Sequence, residues 1–136
     1  MPNSSQHQAR AAHNRAFLGT INLANHRDWA AVVAFYAAVH LAERLRTLAP
    51  HAKDQHSINH QDRLQYIHRH HSAIHTELHE LYNASVIARY QTINSFNTQF
   101  TVADVQNVLI GTYLTTIENY VANQFAPLGG AAAAGS

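Results

Sequence analysis

Residues 28–48 decide the fold, and they read Asp28-Trp29-Ala30-Ala31-Val32-Val33-Ala34-Phe35-Tyr36-Ala37-Ala38-Val39-His40-Leu41-Ala42-Glu43-Arg44-Leu45-Arg46-Thr47-Leu48. Asp28 is a good N-cap residue and Pro50 follows the last leucine, so both ends carry helix signals. Apolar side chains occur on nearly every side of this predicted helix, which is typical of a helix that other helices surround. We therefore expect it to be the central helix of the protein.

The polar atoms inside this helix indicate where a site lies. Once buried, the Tyr36 hydroxyl and the His40 ring need hydrogen-bond partners, and we expect these in residues 60–63 or 82–90. Three other aromatic side chains at helical spacing, Phe17, Trp29 and Tyr120, are expected in the core rather than on a base-stacking surface.

Further helices flank this one in the sequence. The pattern predicts a helix over 6–24 that is weakened at Gly19, a long helix from about residue 59 to Tyr90 with a break near 69–72, and a last helix over 102–125. Residues 91–99 look like a polar connection, and Thr101 with Asp104 resembles a capping box. The prediction is an all-α, four- to five-helix antiparallel bundle over residues 1–126, followed by a low-complexity, disordered tail over 127–136.

Composition excludes several classes of protein. The chain has 136 residues and no cysteine, which removes disulfides and thiolate zinc sites. Its net charge is only +1, so it lacks the strong basic surface of many nucleic-acid binders. The most apolar window, 29–42, is too short to span a bilayer, and no signal peptide is visible, so we expect a cytoplasmic protein without a membrane segment.

Four short motifs carry a family resemblance. They are Tyr36-Ala37-Ala38-Val39-His40, His60-Gln61-Asp62-Arg63, Leu81-Tyr82-Asn83-Ala84-Ser85 and Ala88-Arg89-Tyr90. Together, over about residues 10–120, they resemble a small stand-alone HEPN-type domain (higher eukaryotes and prokaryotes nucleotide-binding). The resemblance implies a helical bundle, often a homodimer, with no cofactor. Many members are metal-independent endoribonucleases of toxin–antitoxin or defence systems, and others are non-catalytic binding modules.

The resemblance also implies where catalysis would occur. Active members carry an arginine followed, after about four to six residues, by a histidine near the start of the last core helix, where two protomers form a groove. Here the last helix contains neither residue type. Pairs with that spacing occur elsewhere, and Arg63/His68 lies beside the family-like motif. The candidate catalytic residues are therefore Arg63, with His60 or His68 for proton transfer to and from RNA.

Two other interpretations of the same residues stay open. In the first, Tyr36, His40, His60, Arg63, Ser85, Arg89 and Tyr90 belong to a polar network or binding site that ties the helices together. The domain would then be a non-catalytic module that pairs with a second copy or a protein partner. The aromatic surface expected for that homodimer includes Tyr113 and Tyr120.

In the second interpretation, a series of histidines binds a metal ion. His68, His71, His75 and His79 follow at spacings of three and four, which stacks rings on one helical face. His71, His75 and His79 could then grip a divalent ion, although solvated surface histidines are the expected case and His71 should point inward. No metal site is predicted outside this alternative.

Overall fold

The computed structural model describes residues 2–126, and the predicted tail at 127–136 lies outside them. Helices account for about four fifths of these residues, and none of them forms a strand. The six helices are α1 (Ser4–Leu18), α2 (Leu23–Arg46), α3 (His60–His70), α4 (His75–Tyr90), α5 (Ile93–Gln99) and α6, in which a π-helical half (Asp104–Leu114) continues into an α-helical half (Thr115–Phe125). The all-α prediction is confirmed, with one helix more than expected.

The central helix, α2, begins earlier than its sequence pattern predicts. Its N-cap is Asn22, whose side chain accepts a hydrogen bond from the Asn25 amide, and the backbone leaves helical geometry only at His26. Asp28 is therefore not an N-cap, and its Oδ1 atom is buried without a partner among residues 2–126. From there to Arg46 most side chains of α2 are buried against α1, α4 and α6.

One stripe of α2 stays outside the core. Trp29 is 61% exposed and Tyr36 is 42% exposed, with the half-buried Val33 between them. These residues follow at spacings of four and three, so they share one helical face, which the flanking helices do not cover. The prediction that Tyr36 and Trp29 are buried is wrong, as it is for Phe17 on α1, which is 51% exposed. We call Trp29, Val33 and Tyr36 the α2 stripe.

α1 runs antiparallel to α2 along its length. Its start lies beside the end of α2, where Arg44 Nε donates to Ser4 Oγ at 3.2 Å. Its last turn reaches α6, where Arg15 pairs with Glu118 at 3.6 Å. These contacts hold the first helix against both the middle and the last helix of the bundle.

The long predicted helix breaks where the sequence indicated. α3 ends at His70, a single 3-10 turn spans Ser72–Ile74, and α4 begins at His75. His71 stands at the break with φ −142° and ψ 48°, and its Nδ1 lies 2.7 Å from the Tyr120 hydroxyl on α6. As predicted, the His71 side chain points inward.

The region after α4 differs from the sequence prediction. Residues expected to form a connection fold into α5, which Thr92 caps through a hydrogen bond from the Ser95 amide at 3.1 Å. Arg27 holds the end of α5 by donating to the carbonyl oxygen of Phe100 at 2.8 Å. The predicted capping box is confirmed, since Thr101 and Asp104 exchange two hydrogen bonds of 2.9 and 3.0 Å.

α6 closes the bundle. Val105, Leu109 and Leu114 of its π-helical half and Ile117 and Val121 of its α-helical half are all buried. Tyr113 and Tyr120 pack partly buried against the core, so they do not form the exposed aromatic surface expected for a dimer. No helix within residues 2–126 has the length and apolarity needed to cross a membrane.

Candidate functional site

The end of α2 carries a charged side chain into the interior. Glu43 is only 8% exposed, and its carboxylate accepts hydrogen bonds from the Ser57 amide, at 2.9 Å, and from the Ser57 hydroxyl. Arg63 of α3 completes the arrangement, with its Nε 3.0 Å from Glu43 Oε2. Burial raises the pKa of Glu43, but the bonds from Ser57 and the charge of Arg63 outweigh it and hold the pKa below its ordinary value. Glu43 is therefore a fixed anion beneath the site.

A second ion pair links the end of α2 to the first turn of α3. Arg46 is 4% exposed, and its Nη1 lies 2.9 Å from Asp62 Oδ2 while its Nε donates to the Asp54 carbonyl at 2.7 Å. Its guanidinium also covers the Tyr66 ring at 4.4 Å from the centroid. This pair fixes the start of α3, and hence Arg63, relative to α2.

His60 lies at the first turn of α3, held on three sides. Its ring stacks on Tyr82 with centroids 3.7 Å apart and meets the edge of Phe35 at 5.3 Å. Arg63 Nη1 lies 3.3 Å from His60 Nδ1. Because a guanidinium can only donate, this contact assigns the ring proton to Nε2. That atom is buried with no partner among residues 2–126.

The environment keeps the His60 ring neutral. Burial, followed by the charges of Arg63, His79 and Arg89, lowers its pKa to about 4. At neutral pH the ring therefore presents one oriented N–H group and no charge. A neutral imidazole beside a guanidinium places a group capable of proton transfer next to a fixed positive charge.

A second imidazole pair joins α1 to α2. His7 Nδ1 lies 3.1 Å from His40 Nδ1, and the ring centroids are 5.4 Å apart. His7 is 5% exposed, and its Nε2 is buried without a partner within the described residues. Burial is the main reason that the pKa of each ring is lowered, and the charge of Arg63 adds to the effect in both. Arg63 therefore contacts His60 directly, and its charge also acts on His7 and His40.

We call His7, His40, His60 and Arg63, gathered around Glu43, the imidazole–arginine cluster. The sequence analysis identified His40, His60 and Arg63 but missed His7, Glu43 and the bracing Arg46. The sequence did contain a signal for Glu43 and Arg46, because they are charged residues in a helix that is otherwise apolar on nearly all sides. His7 carried no such signal, since α1 is only weakly amphipathic.

The third candidate catalytic residue lies elsewhere. His68 is exposed five residues after Arg63, a rise of about 7.5 Å along the helix. Its ring meets the edge of His75 at 4.8 Å, above a surface depression of about 520 Å³ that Arg69 and His79 also line. The structure brings His60 and Arg63 together and places His68 in this other depression.

The predicted polar network is only partly formed. Ser85 donates to the Tyr82 carbonyl at 2.7 Å, and Arg89 donates to the Ser85 carbonyl at 3.2 Å, so both bonds stay within α4. Arg89 and Tyr90 are exposed, and their side chains contact each other. His40 turns to α1 instead of to residues 60–63 or 82–90, which corrects the expected partner.

The histidine series is divided by the break between α3 and α4. His71 faces Tyr120, whereas His75 and His79 stack in parallel with ring centroids 6.0 Å apart. Among residues 2–126, no group of three or more histidine, aspartate or glutamate side chains is arranged to hold a metal ion. The alternative ligand set His71, His75 and His79 is therefore not brought together.

Comparison of the chain with protein-family models, with curated proteins and with solved structures gave no match. The site is therefore interpreted from its own geometry and chemistry.

Proposed function

We propose that this chain is an RNA- or nucleotide-directed HEPN-like domain whose site is the imidazole–arginine cluster, and that it acts as a metal-independent endoribonuclease. The observation that supports this most directly is the contact between the neutral His60 ring and the Arg63 guanidinium, together with the His7–His40 imidazole pair. Neutral imidazoles can accept a proton, and a guanidinium can donate hydrogen bonds to phosphate oxygens. The four sequence motifs resembling a HEPN-type domain add to this support.

The chemistry required is simple. The ribose O2′ attacks the adjacent phosphorus, the P–O5′ bond breaks, and a 2′,3′-cyclic phosphate and a free 5′-hydroxyl result. A neutral imidazole accepts the O2′ proton, and the imidazolium so formed returns a proton to the departing O5′. His40 is the best candidate for the base, because it is only partly buried and lines a surface pocket. His60, whose Nε2 is buried, holds the Arg63 guanidinium through its Nδ1.

The experiment is a cleavage assay on mixed RNAs in the presence of a chelator. We expect His40→Gln to lose at least about a hundredfold in rate, the usual contribution of a general base. Arg69→Gln is the matched control, because Arg69 is an exposed arginine outside the cluster. Absence of cleavage by the unmutated protein, or cleavage that survives His40→Gln, would contradict the proposal.

A non-catalytic dimerisation module is the second candidate, and the α2 stripe favours it. Exposed tryptophan and tyrosine are the side chains that most often dominate protein–protein interfaces. A specific homodimer would bury roughly 1,200–2,000 Å² in total. Light scattering of the unmutated protein and of Trp29→Ala tests this: a dimer that dissociates in the variant, together with no RNA cleavage, would favour the module.

A further inference from the structure

A pocket of about 500 Å³ opens beside the imidazole–arginine cluster, between the first turns of α1 and the outer side of α2. It is lined by Pro2, Gln6, His7, Arg10 and His40. The His7–His40 pair stands at its inner side, and Arg10 is exposed at its outer side. We call it the α1 pocket, and none of the sequence motifs reaches its α1 wall.

The charge of the α1 pocket favours an anion. None of the residues that line it is acidic, and Arg10 forms no ion pair with any of residues 2–126. The nearest anion, Glu43, is already neutralised by Arg63 and hydrogen-bonded to Ser57. The positive charge of Arg10 is therefore not compensated inside the pocket.

The imidazole pair supplies hydrogen-bonding groups as well. Its two Nδ1 atoms share one proton, because a bond between them needs one donor and one acceptor. The ring that accepts at Nδ1 then carries its single proton on Nε2, and the ring that donates from Nδ1 has a bare Nε2. The pair thus offers a donor and an acceptor. His7 Nε2 is buried without a partner among the described residues, which leaves a polar atom that a ligand or a water would satisfy.

We propose that the α1 pocket binds the phosphate group of a nucleotide or of RNA, with Arg10 as the cation and the His7–His40 pair as its hydrogen-bonding partner. A guanidinium is suited to pair with two phosphate oxygens at once. The assignment of the phosphate to RNA rests on the proposed function, whereas the anion site rests on the pocket alone. His7 and Arg10 would then belong to the site although α1 carries no recognisable motif.

The test is a titration followed by NMR of the histidine rings, in the full chain. The probes are inorganic phosphate, adenosine 5′-monophosphate and a short single-stranded RNA with non-cleavable 2′-O-methyl sugars. We expect the His7 and His40 ring signals to shift and saturate with each probe, while those of His68 and His79 stay in place. Arg10→Gln should weaken binding at least about tenfold, the loss expected for one charge-assisted hydrogen bond, and Arg69→Gln should not.

The outcomes separate this inference from the proposed function. Saturable phosphate binding at His7 and His40 without RNA cleavage supports the pocket and removes the nuclease. RNA cleavage that His40→Gln abolishes, with no saturable shift caused by inorganic phosphate or with binding unchanged in Arg10→Gln, overturns the pocket and keeps the nuclease. Tighter binding of the RNA than of the monophosphate would assign the phosphate to RNA, and the reverse order to a free nucleotide. His7→Gln, checked by thermal melting, provides a second variant in which binding should be lost while the fold persists.

Discussion

The ion pair between Glu43 and Arg63 contributes to the stability of the fold and also affects the protonation of the nearby imidazoles. The pair lies under the cluster, where Arg63 also contacts His60, so its charge influences the protonation of the imidazoles around it. Both side chains are largely removed from water, with exposed fractions of 14% for Arg63 and 10% for Glu43. An ion pair in such a place is worth little by itself, but each member is costly without the other. Arg63 is therefore a structural residue whether or not it touches a ligand.

Replacing Arg63 by alanine should destabilise the protein. The change leaves Glu43 buried with only Ser57 as its partner, and we expect a loss of about 2–4 kcal/mol in the free energy of unfolding. Arg69→Ala is the matched control and should change it by less than about 0.5 kcal/mol, because Arg69 is exposed. Urea denaturation of the two variants measures the difference.

A double variant tests whether the unpaired charge of Glu43 causes this loss of stability. Adding Glu43→Gln to Arg63→Ala should restore part of the loss, because the unpaired charge is then gone. Equal stability of Arg63→Ala and the unmutated protein would show that the Glu43 carboxylate does not depend on Arg63 for a partner.

At the scale of single residues, the sequence indicated which side chains belong to the candidate site better than it indicated which side chains they contact. His60 and Arg63 were assigned together to the candidate site from one short motif, and the structure joins them. His7 lies 33 residues from His40 and meets it only because α1 folds back on α2. Such a contact depends on how two helices pack, which no local pattern in either segment encodes.

At the scale of the helices, the least ordinary feature is the π-helical half of α6. π-Helices are usually single turns, whereas this one spans Asp104–Leu114. Two threonines support it, since Thr112 and Thr115 each donate to the carbonyl five residues earlier, at 2.8 and 3.0 Å. Gly111 permits it, because a Cβ there would lie 2.9 Å from the Gln106 carbonyl oxygen.

Gly111→Ala should therefore disfavour the π-helical geometry of residues 104–114. The new methyl group would crowd the Gln106 carbonyl and disfavour the π-helical turn, even though alanine is the better residue for an α-helix by about 1 kcal/mol. We expect a loss of stability of about 1–2 kcal/mol, or local conversion to α-geometry that moves amide signals over 104–114. Thr116→Ala, in the α-helical half, is the control. A gain in stability with unmoved signals would show that ordinary α-helix forms there.

Helix boundaries could be predicted from the sequence where capping or helix-breaking residues mark them. The break before α4 and the Thr101/Asp104 capping box were predicted and are present, because each depends on residues only a few positions apart. α5 was missed because its seven residues carry few apolar side chains, and only Phe96 is buried. The exposure of Trp29 was missed because an apolar pattern on all sides cannot reveal which side a neighbour leaves uncovered.

At the scale of the whole molecule, histidine burial dominates the electrostatics. Net charge is close to zero, but the chain holds twelve histidines. Burial is the main reason that the pKa lies below its ordinary value in five of them, distributed over α1, α2, α3, α4 and the break between α3 and α4; these are His7, His40, His60, His71 and His75. Each of these rings is held neutral by folding and becomes charged more readily in the unfolded chain.

Stability should therefore fall as the pH falls below about 6.5, well before the carboxylates titrate. In the unfolded chain a histidine binds its proton near pH 6.5, whereas folded His60 does so only near pH 4. Between these values the unfolded state binds more protons, so the free energy of unfolding decreases as the pH is lowered. The contribution of His60 is present above pH 6.5 and is progressively lost down to pH 4. From pH 7.5 to pH 5 it should amount to about 1–2 kcal/mol, after allowance for partial solvent screening.

Denaturation midpoints measured from pH 8 down to pH 4.5 test this. The pKa of Glu43 is also lowered, so its stabilising contribution is lost only below its ordinary value of 4.5, outside the range measured. His60→Phe keeps an aromatic ring on Tyr82 but cannot titrate, and we expect a shallower slope between pH 6.5 and 5. His13→Gln, at an exposed position on α1, should leave the slope unchanged. Equal slopes for His60→Phe and the unmutated protein would mean that folding does not hold the His60 ring neutral, and the cluster would then present an additional positive charge in mild acid.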